Sequence, residues 1–311
     1  MPSVSCIVNT GLLTTLGGLP RWADSLSGVY FDGAIHVVGR AVNGLLGSKL
    51  HQRFNTNGQS LSLFDGPFTG TNEANLSLIK SGKLVCVGGT TSFEIWEFNP
   101  LVAGNAAGSW SQITADFSAS IGQRKMAFSW DLNGWFYIGG GWGRDTLYKT
   151  QDFLNWTLVG NLPANILKLS ACAYFVHKGK GYCIGGSDNM LTEDSTGFYN
   201  GNKSGYVYRF DPAGETWTLV TTDPTNFGTV WVDGVSDGTN IYVNGGLDVA
   251  SGLNVRKLLY STDDGATWNS ISPVDGLEVF SERHRCAMVN VGGIIYMIAG
   301  YGSNDMWKIN P

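Results

Sequence analysis

Short apolar runs, each closed by glycine, recur six times along this chain of 311 residues. The runs are Ile35-His36-Val37-Val38, Leu84-Val85-Cys86-Val87, Phe136-Tyr137-Ile138, Tyr182-Cys183-Ile184, Ile241-Tyr242-Val243 and Ile295-Tyr296-Met297-Ile298. The last glycine of each signal falls at Gly39, Gly89, Gly140, Gly186, Gly246 and Gly300, giving intervals of 50, 51, 46, 60 and 54 residues. Such β-branched and aromatic runs read as buried strands. Glycine suits a strand end that needs positive φ or close backbone approach. A loop and a second aromatic strand follow each signal, with ends such as Phe98-Asn99-Pro100 and Phe210-Asp211-Pro212. Asn or Asp before proline starts a turn there, because its side chain bonds nearby backbone and the proline stops the ladder. A Trp opens the next strand in four units, at Trp110, Trp156, Trp217 and Trp268. The unit is therefore a four-stranded antiparallel sheet, repeated with a period near fifty.

Six such sheets placed radially predict an all-β, six-bladed β-propeller, which protects edges that isolated sheets expose. The blades span approximately 20–65, 66–116, 117–161, 162–222, 223–273 and 274–311, the last with 1–10 added. After Gly300 only 11 residues remain, enough for a strand over 305–311 but not for a Trp strand. Ser3–Val8 is an unattached strand-like run, and it is expected to close the last blade as its outer strand. The period, the glycine pair and the later Trp together resemble the kelch-repeat family over essentially the whole chain. That resemblance implies the propeller and leaves function open, since kelch propellers bind proteins, bind sugars and catalyse.

A shorter segment, Ser261-Thr262-Asp263-Asp264-Gly265-Ala266-Thr267-Trp268, resembles the Asp-box of sialidase-like propellers. Thr150-Gln151-Asp152-Phe153-Leu154-Asn155-Trp156 is similar to a shortened form. The resemblance implies a turn whose Asp bonds backbone and whose Trp packs between blades. Blades three and six align at an offset of 160, which pairs Asp145 with Asp305, Ala127 with Ala287 and Lys125 with Arg285. Residues repeated in this way are read as bracing, and residues unique to one loop as functional candidates.

Composition narrows the chemistry. Apolar residues make up 43% of the chain and charged residues 14%, well below the usual quarter or so. The net charge of −5 offers no basic stripe for phosphates, which excludes nucleic acid as a partner. No apolar run reaches membrane-spanning length, and Met1–Val8 lacks the basic start and apolar stretch of a secretory signal. A surface rich in Gly, Asn, Ser and Thr without such a signal suits a virion protein, which assembles in the cytoplasm and leaves by lysis. Five cysteines without a C-x-x-C predict buried thiols rather than a disulfide framework.

Catalytic signals are thin. Sialidase-type hydrolysis needs an arginine cluster and carboxylates, for which Arg21, Arg124, Arg144, Arg283 and Arg285 with Glu193, Asp194, Glu278 or Glu282 are the candidates. His36, His51, His177 and His284 lie far apart in sequence and predict no metal centre. No Ser/His/Asp order stands out, and no cofactor is implied. The long interval after Gly186 marks Ser187–Ser204 as an insertion carrying Asp188, Asn189, Glu193, Asp194, Phe198 and Tyr199. Loops after other glycine signals leave the same face and add Trp142, Arg144, Asp248 and Tyr301. Trp142, between two glycines, is the first of these. The function expected is non-enzymatic recognition of a protein or cell-surface glycan, on a virion alongside other virion proteins. A sialidase-like glycoside hydrolase and an intracellular protein-interaction scaffold are the alternatives.

Overall fold

The structure, a computed structural model, describes residues 3–8, 22–42, 48–57, 60–65, 76–88, 93–99, 109–187, 192–193, 199–200, 204–248, 251–255, 257–271, 283–300 and 305–310. Six four-stranded antiparallel sheets form the blades of a propeller. Blade 1 comprises Trp22–Phe31, Ala34–Val42, Ser48–Phe54 and Ser60–Asp65, and blade 2 Leu76–Lys80, Lys83–Val87, Ile95–Asn99 and Ser109–Thr114. Blade 3 comprises Phe128–Leu132, Trp135–Gly139, Thr146–Thr150 and Thr157–Asn161. Blade 4 comprises Ala173–His177, Lys180–Ile184, Tyr206–Asp211 and Thr216–Thr222. Blade 5 comprises Asp233–Ser236, Ile241–Asn244, Leu258–Ser261 and Asn269–Ser270. Blade 6 takes Ala287–Val291, Ile294–Ile298 and Met306–Asn310 from one end of the chain and Ser3–Val8 from the other. The first strands of neighbouring blades pack side by side all the way round, blade 6 against blade 1 included.

The N-terminal strand closes the ring as the sequence predicts, running antiparallel to Met306–Asn310 with Ser3 opposite Asn310. In five blades the first hairpin turns on two residues with positive φ: Asp32-Gly33, Ser81-Gly82, Asn133-Gly134, Lys178-Gly179 and Gly292-Gly293. That is the geometry whose twist matches flanking strands. In blade 5 the Asp237 carboxylate makes the turn instead, accepting the backbone N–H groups of Thr239 and Asn240.

The glycine register differs from the sequence reading in blade 3. Phe128 pairs with Gly139 as Ala173 pairs with Ile184 and Ala287 with Ile298, so Gly139 is the last residue of its strand. Gly141, not Gly140, is the counterpart of Gly186, Gly246 and Gly300. A Cβ on these four would lie 2.9, 2.6, 2.5 and 2.9 Å from the carbonyl oxygens of Lys125, Ser170, Val230 and His284 respectively. Each of those carbonyls stands three residues before its own first strand, so one close approach is repeated four times. The offset between blades 3 and 6 is accordingly 159 rather than 160. The true equivalents are Thr146 with Asp305, Phe128 with Ala287, Met126 with Arg285, and Arg124 with Arg283.

Packing between blades is aromatic. Trp130 of blade 3 stacks on Phe210 of blade 4 at 5.5 Å and 9°, and Gly181 leaves room for the indole. Trp217 of blade 4 lies 5.6 Å from Trp130, and Trp110 of blade 2 lies 5.2 Å from His51 of blade 1. The two Trp-containing turns behave alike. Asp263 accepts the Thr267 N–H at 2.9 Å and its hydroxyl at 2.6 Å, while Trp268 packs on Phe227. Asp152 accepts the N–H groups of Leu154 and Asn155, which hold its carboxyl well below the usual range.

Candidate functional site

The residue two positions before the first strand has left-handed backbone in four consecutive blades: Met126 at φ 57°, Ala171 at 53°, Trp231 at 53° and Arg285 at 55°. Non-glycine residues seldom adopt this conformation, and bulky ones less often still. Here a relay of backbone hydrogen bonds imposes it. Ala171 donates to the Met126 carbonyl at 3.0 Å, Trp231 to Ala171 at 2.7 Å, Arg285 to Trp231 at 3.4 Å, and Leu26 of blade 1 to Arg285 at 3.3 Å. The relay bends around the propeller axis at the end where the glycine signals lie, so these residues collar the mouth of the axial channel.

Two cations are held at this mouth by indole faces. The Arg285 guanidinium lies 3.9 Å from the Trp231 ring centroid, and the Lys125 ammonium 5.2 Å from that of Trp142. His284 stacks on Trp231 at 5.2 Å, and burial, helped by Arg285, lowers its pKa to about 3. His284 is thus neutral near pH 7. Ala171, Val230, Trp231 and Leu247 form the apolar patch beneath, with Met126 and Trp142 against it.

The channel holds two chambers, one of about 70 Å³ at the collar itself and one of about 200 Å³ beside it. Leu26, Tyr174 and Asp233 line both. Burial pushes the Asp233 carboxyl up to about 7, against the opposing pull of hydrogen bonds from Cys286 and the charge of Arg285. One of those bonds is the Cys286 N–H to Oδ2 at 2.9 Å. Tyr174, raised by burial and by Asp233, belongs to blade 4 and interacts with Ser27 of blade 1, across the axis. Ser27 Oγ in turn accepts the Ser77 N–H of blade 2 at 2.8 Å. Four blades therefore send polar groups to one level of the channel.

Trp142 stands at the mouth as its sequence position suggests, half-buried, with its backbone N–H donated to Lys125 O at 3.0 Å. Arg144 is exposed and its Nε caps Gln123 O at 3.1 Å. Asp248 begins a two-stranded ribbon, Leu247–Asp248 with Leu253–Asn254, and its carboxylate accepts Ser251 Oγ at 2.8 Å. Glu193 and Tyr199 face each other in a second ribbon, Thr192–Glu193 with Tyr199–Asn200. Asp188, Asn189, Asp194, Phe198 and Tyr301 lie outside the described residues. Lys125, Met126, Trp231, Tyr174 and Asp233 are residues that sequence reasoning did not nominate, and Arg285 entered it only as one of the candidate sialidase arginines. Their shared signal is a position relative to the first strand, which no shared residue type marks.

Two contacts bring together residues that lie far apart in sequence. His36 Nδ1 and His51 Nε2, far apart in sequence, meet at 2.9 Å in blade 1, where burial lowers both. Among the described residues no group of three potential metal ligands forms. A Ser–His–Asp chain also exists: Ser236 Oγ to His177 Nδ1 at 2.7 Å, and His177 Nε2 to Asp264 Oδ1 at 3.0 Å. It lies at the opposite end from the mouth. His177 is buried, Ser236 Oγ also accepts the Gly238 N–H, and Asp264 also binds Lys178. These contacts clasp blade 4 to the turn of blade 5.

Arg124 and Arg283, both buried, occupy equivalent places and brace the opening between second and third strands. Arg124 Nη1 donates to Gly140 O at 3.1 Å and Thr146 O at 2.9 Å. Arg283 Nη1 donates to Ala299 O at 3.1 Å and pairs with Asp305 at 2.6 Å. Among the described residues no helix is long and apolar enough to cross a membrane. No known family model matches the chain, and no curated protein matches it.

Proposed function

We propose that this chain is a non-enzymatic recognition propeller of kelch type with Asp-box turns, binding a protein or cell-surface glycan through its loop face on a virion. The observation that carries the reading is the loop end itself. Two of its connections carry ribbons, 192–193 paired with 199–200 and 247–248 with 253–254, beside a mouth where two indoles hold two cations. Leu253, at a ribbon strand, is 65% exposed, as suits a contact surface. Fold alone assigns no partner.

A hydrolase of sialidase type draws less support. Its arginine cluster would need side chains free to meet a carboxylate, whereas Arg124 and Arg283 are consumed inside their blades and Arg144 caps a loop. The test is binding of fluorescently tagged protein to host cells and to a glycan array. Trp142→Ala and deletion of 190–200 are expected to reduce binding at least tenfold with the melting temperature of the Trp142 variant nearly unchanged. Full binding by both variants would remove the loop face from consideration.

A further inference from the structure

The axial channel combines three properties seldom found together by chance. It has an apolar collar of Leu26, Met126 and Trp231, a guanidinium fixed at its lip, and a polar level formed by Asp233, Tyr174 and Ser27. The larger chamber, about 200 Å³, holds several waters at about 30 Å³ each and lies below the ~300 Å³ where drug-sized pockets begin. Its size therefore suits one monosaccharide unit rather than a peptide or an extended chain.

Chemistry selects further within that size. A strongly acidic group meets the Asp233 carboxylate, and a cation meets Arg285 at the lip. A neutral polyhydroxylated ring avoids both conflicts. Its C–H face matches Leu26, Val232 and Met288, which line the larger chamber, and its hydroxyls match groups that donate and accept. Asp233 takes the Cys286 N–H at 2.9 Å and a bond from the Cys286 thiol, and since a carboxylate has about four lone-pair sites, capacity for a hydroxyl remains. Tyr174 and Ser27, from opposite blades, hydrogen-bond to each other and form one polar wall of the larger chamber, with hydroxyl capacity left over for a ring seated against it. Backbone bonds fix the collar before any ligand arrives, which spares ordering cost on binding.

We propose that the axial channel is a binding site for a single neutral sugar residue, such as the terminal unit of a cell-surface glycan. This rests on the recognition reading above and gives it a ligand class.

The experiment titrates the methyl glycosides of glucose, galactose, mannose and N-acetylglucosamine into the full chain by calorimetry and saturation-transfer NMR. The same measurements use Asp233→Asn, Tyr174→Phe and Ser27→Ala, with melting temperatures recorded for each. Saturation transfer to at least one glycoside, weakened tenfold or more by Asp233→Asn and severalfold by Tyr174→Phe in folded protein, is the expected result. Should Asp233→Asn fail to fold, loss of affinity in Tyr174→Phe and Ser27→Ala carries the same decision. Glycoside binding unchanged in every folded variant overturns the channel site and leaves recognition by the loops standing. Absence of glycoside binding, with cell binding that still depends on Trp142, also overturns it while sparing the broader reading. Absence of both defeats the two together.

Discussion

Single residues here act mainly by where they let backbone go. Gly246 has φ 73°, and an added Cβ would sit 2.5 Å from Val230 O, within the same blade. Gly246→Ala is therefore expected to cost about 2–4 kcal/mol, from left-handed strain plus a backbone clash that cannot relax cheaply. Denaturant unfolding measures it, and Gly134→Ala is the comparison, since nothing lies within 4 Å of its Cβ position. The buried arginines allow a sharper contrast. Arg283→Met leaves Asp305 in the interior without its cation, with an expected loss of about 3–5 kcal/mol. Asp305→Thr copies blade 3, where Arg124 works with Thr146 Oγ1 at 2.7 Å, and is expected to cost distinctly less.

Elements were the most legible part of the sequence, because strand runs, turn residues and glycines repeat at one period and agree with one another. The N-terminal strand was legible by subtraction, since the last blade lacked a partner for Met306–Asn310. Blade 3 slipped by one residue for a plain reason. Gly139-Gly140-Gly141 offers two registers for a glycine pair, and glycine has no side chain to choose between them. The mouth was legible mainly through Trp142 and its neighbouring loop residues. Met126, Ala171, Trp231 and Arg285 share a backbone conformation imposed by a relay from other blades, and nothing local in their side chains announces it. The outer strand itself is testable. Deleting residues 1–10 exposes the edge of Met306–Asn310 and is expected to lower the melting temperature sharply in scanning calorimetry.

Across the whole molecule the axial carboxyl ties stability to pH. Asp233 has its folded value raised to about 7 from an ordinary 3.8. The fold thus prefers the protonated form. Its contribution is complete below the unfolded value, is lost as pH rises toward about 7, and changes no further above that. Asp233→Asn keeps an oxygen for the Cys286 N–H and removes the charge, so it is expected to flatten the loss of stability between about pH 4 and 7. Melting curves across that window, wild type against variant, show the difference in slope.

The splice in blade 6 has a consequence in time. Ser3 meets Asn310, so the pairing that seals the ring joins positions separated by almost the entire chain. Bringing such distant segments together is entropically costly, and contacts of this range slow folding. Five blades are expected to assemble while the strand that seals the sixth is still unpaired. The ring is therefore expected to close in one late step, in which the channel also takes its final geometry.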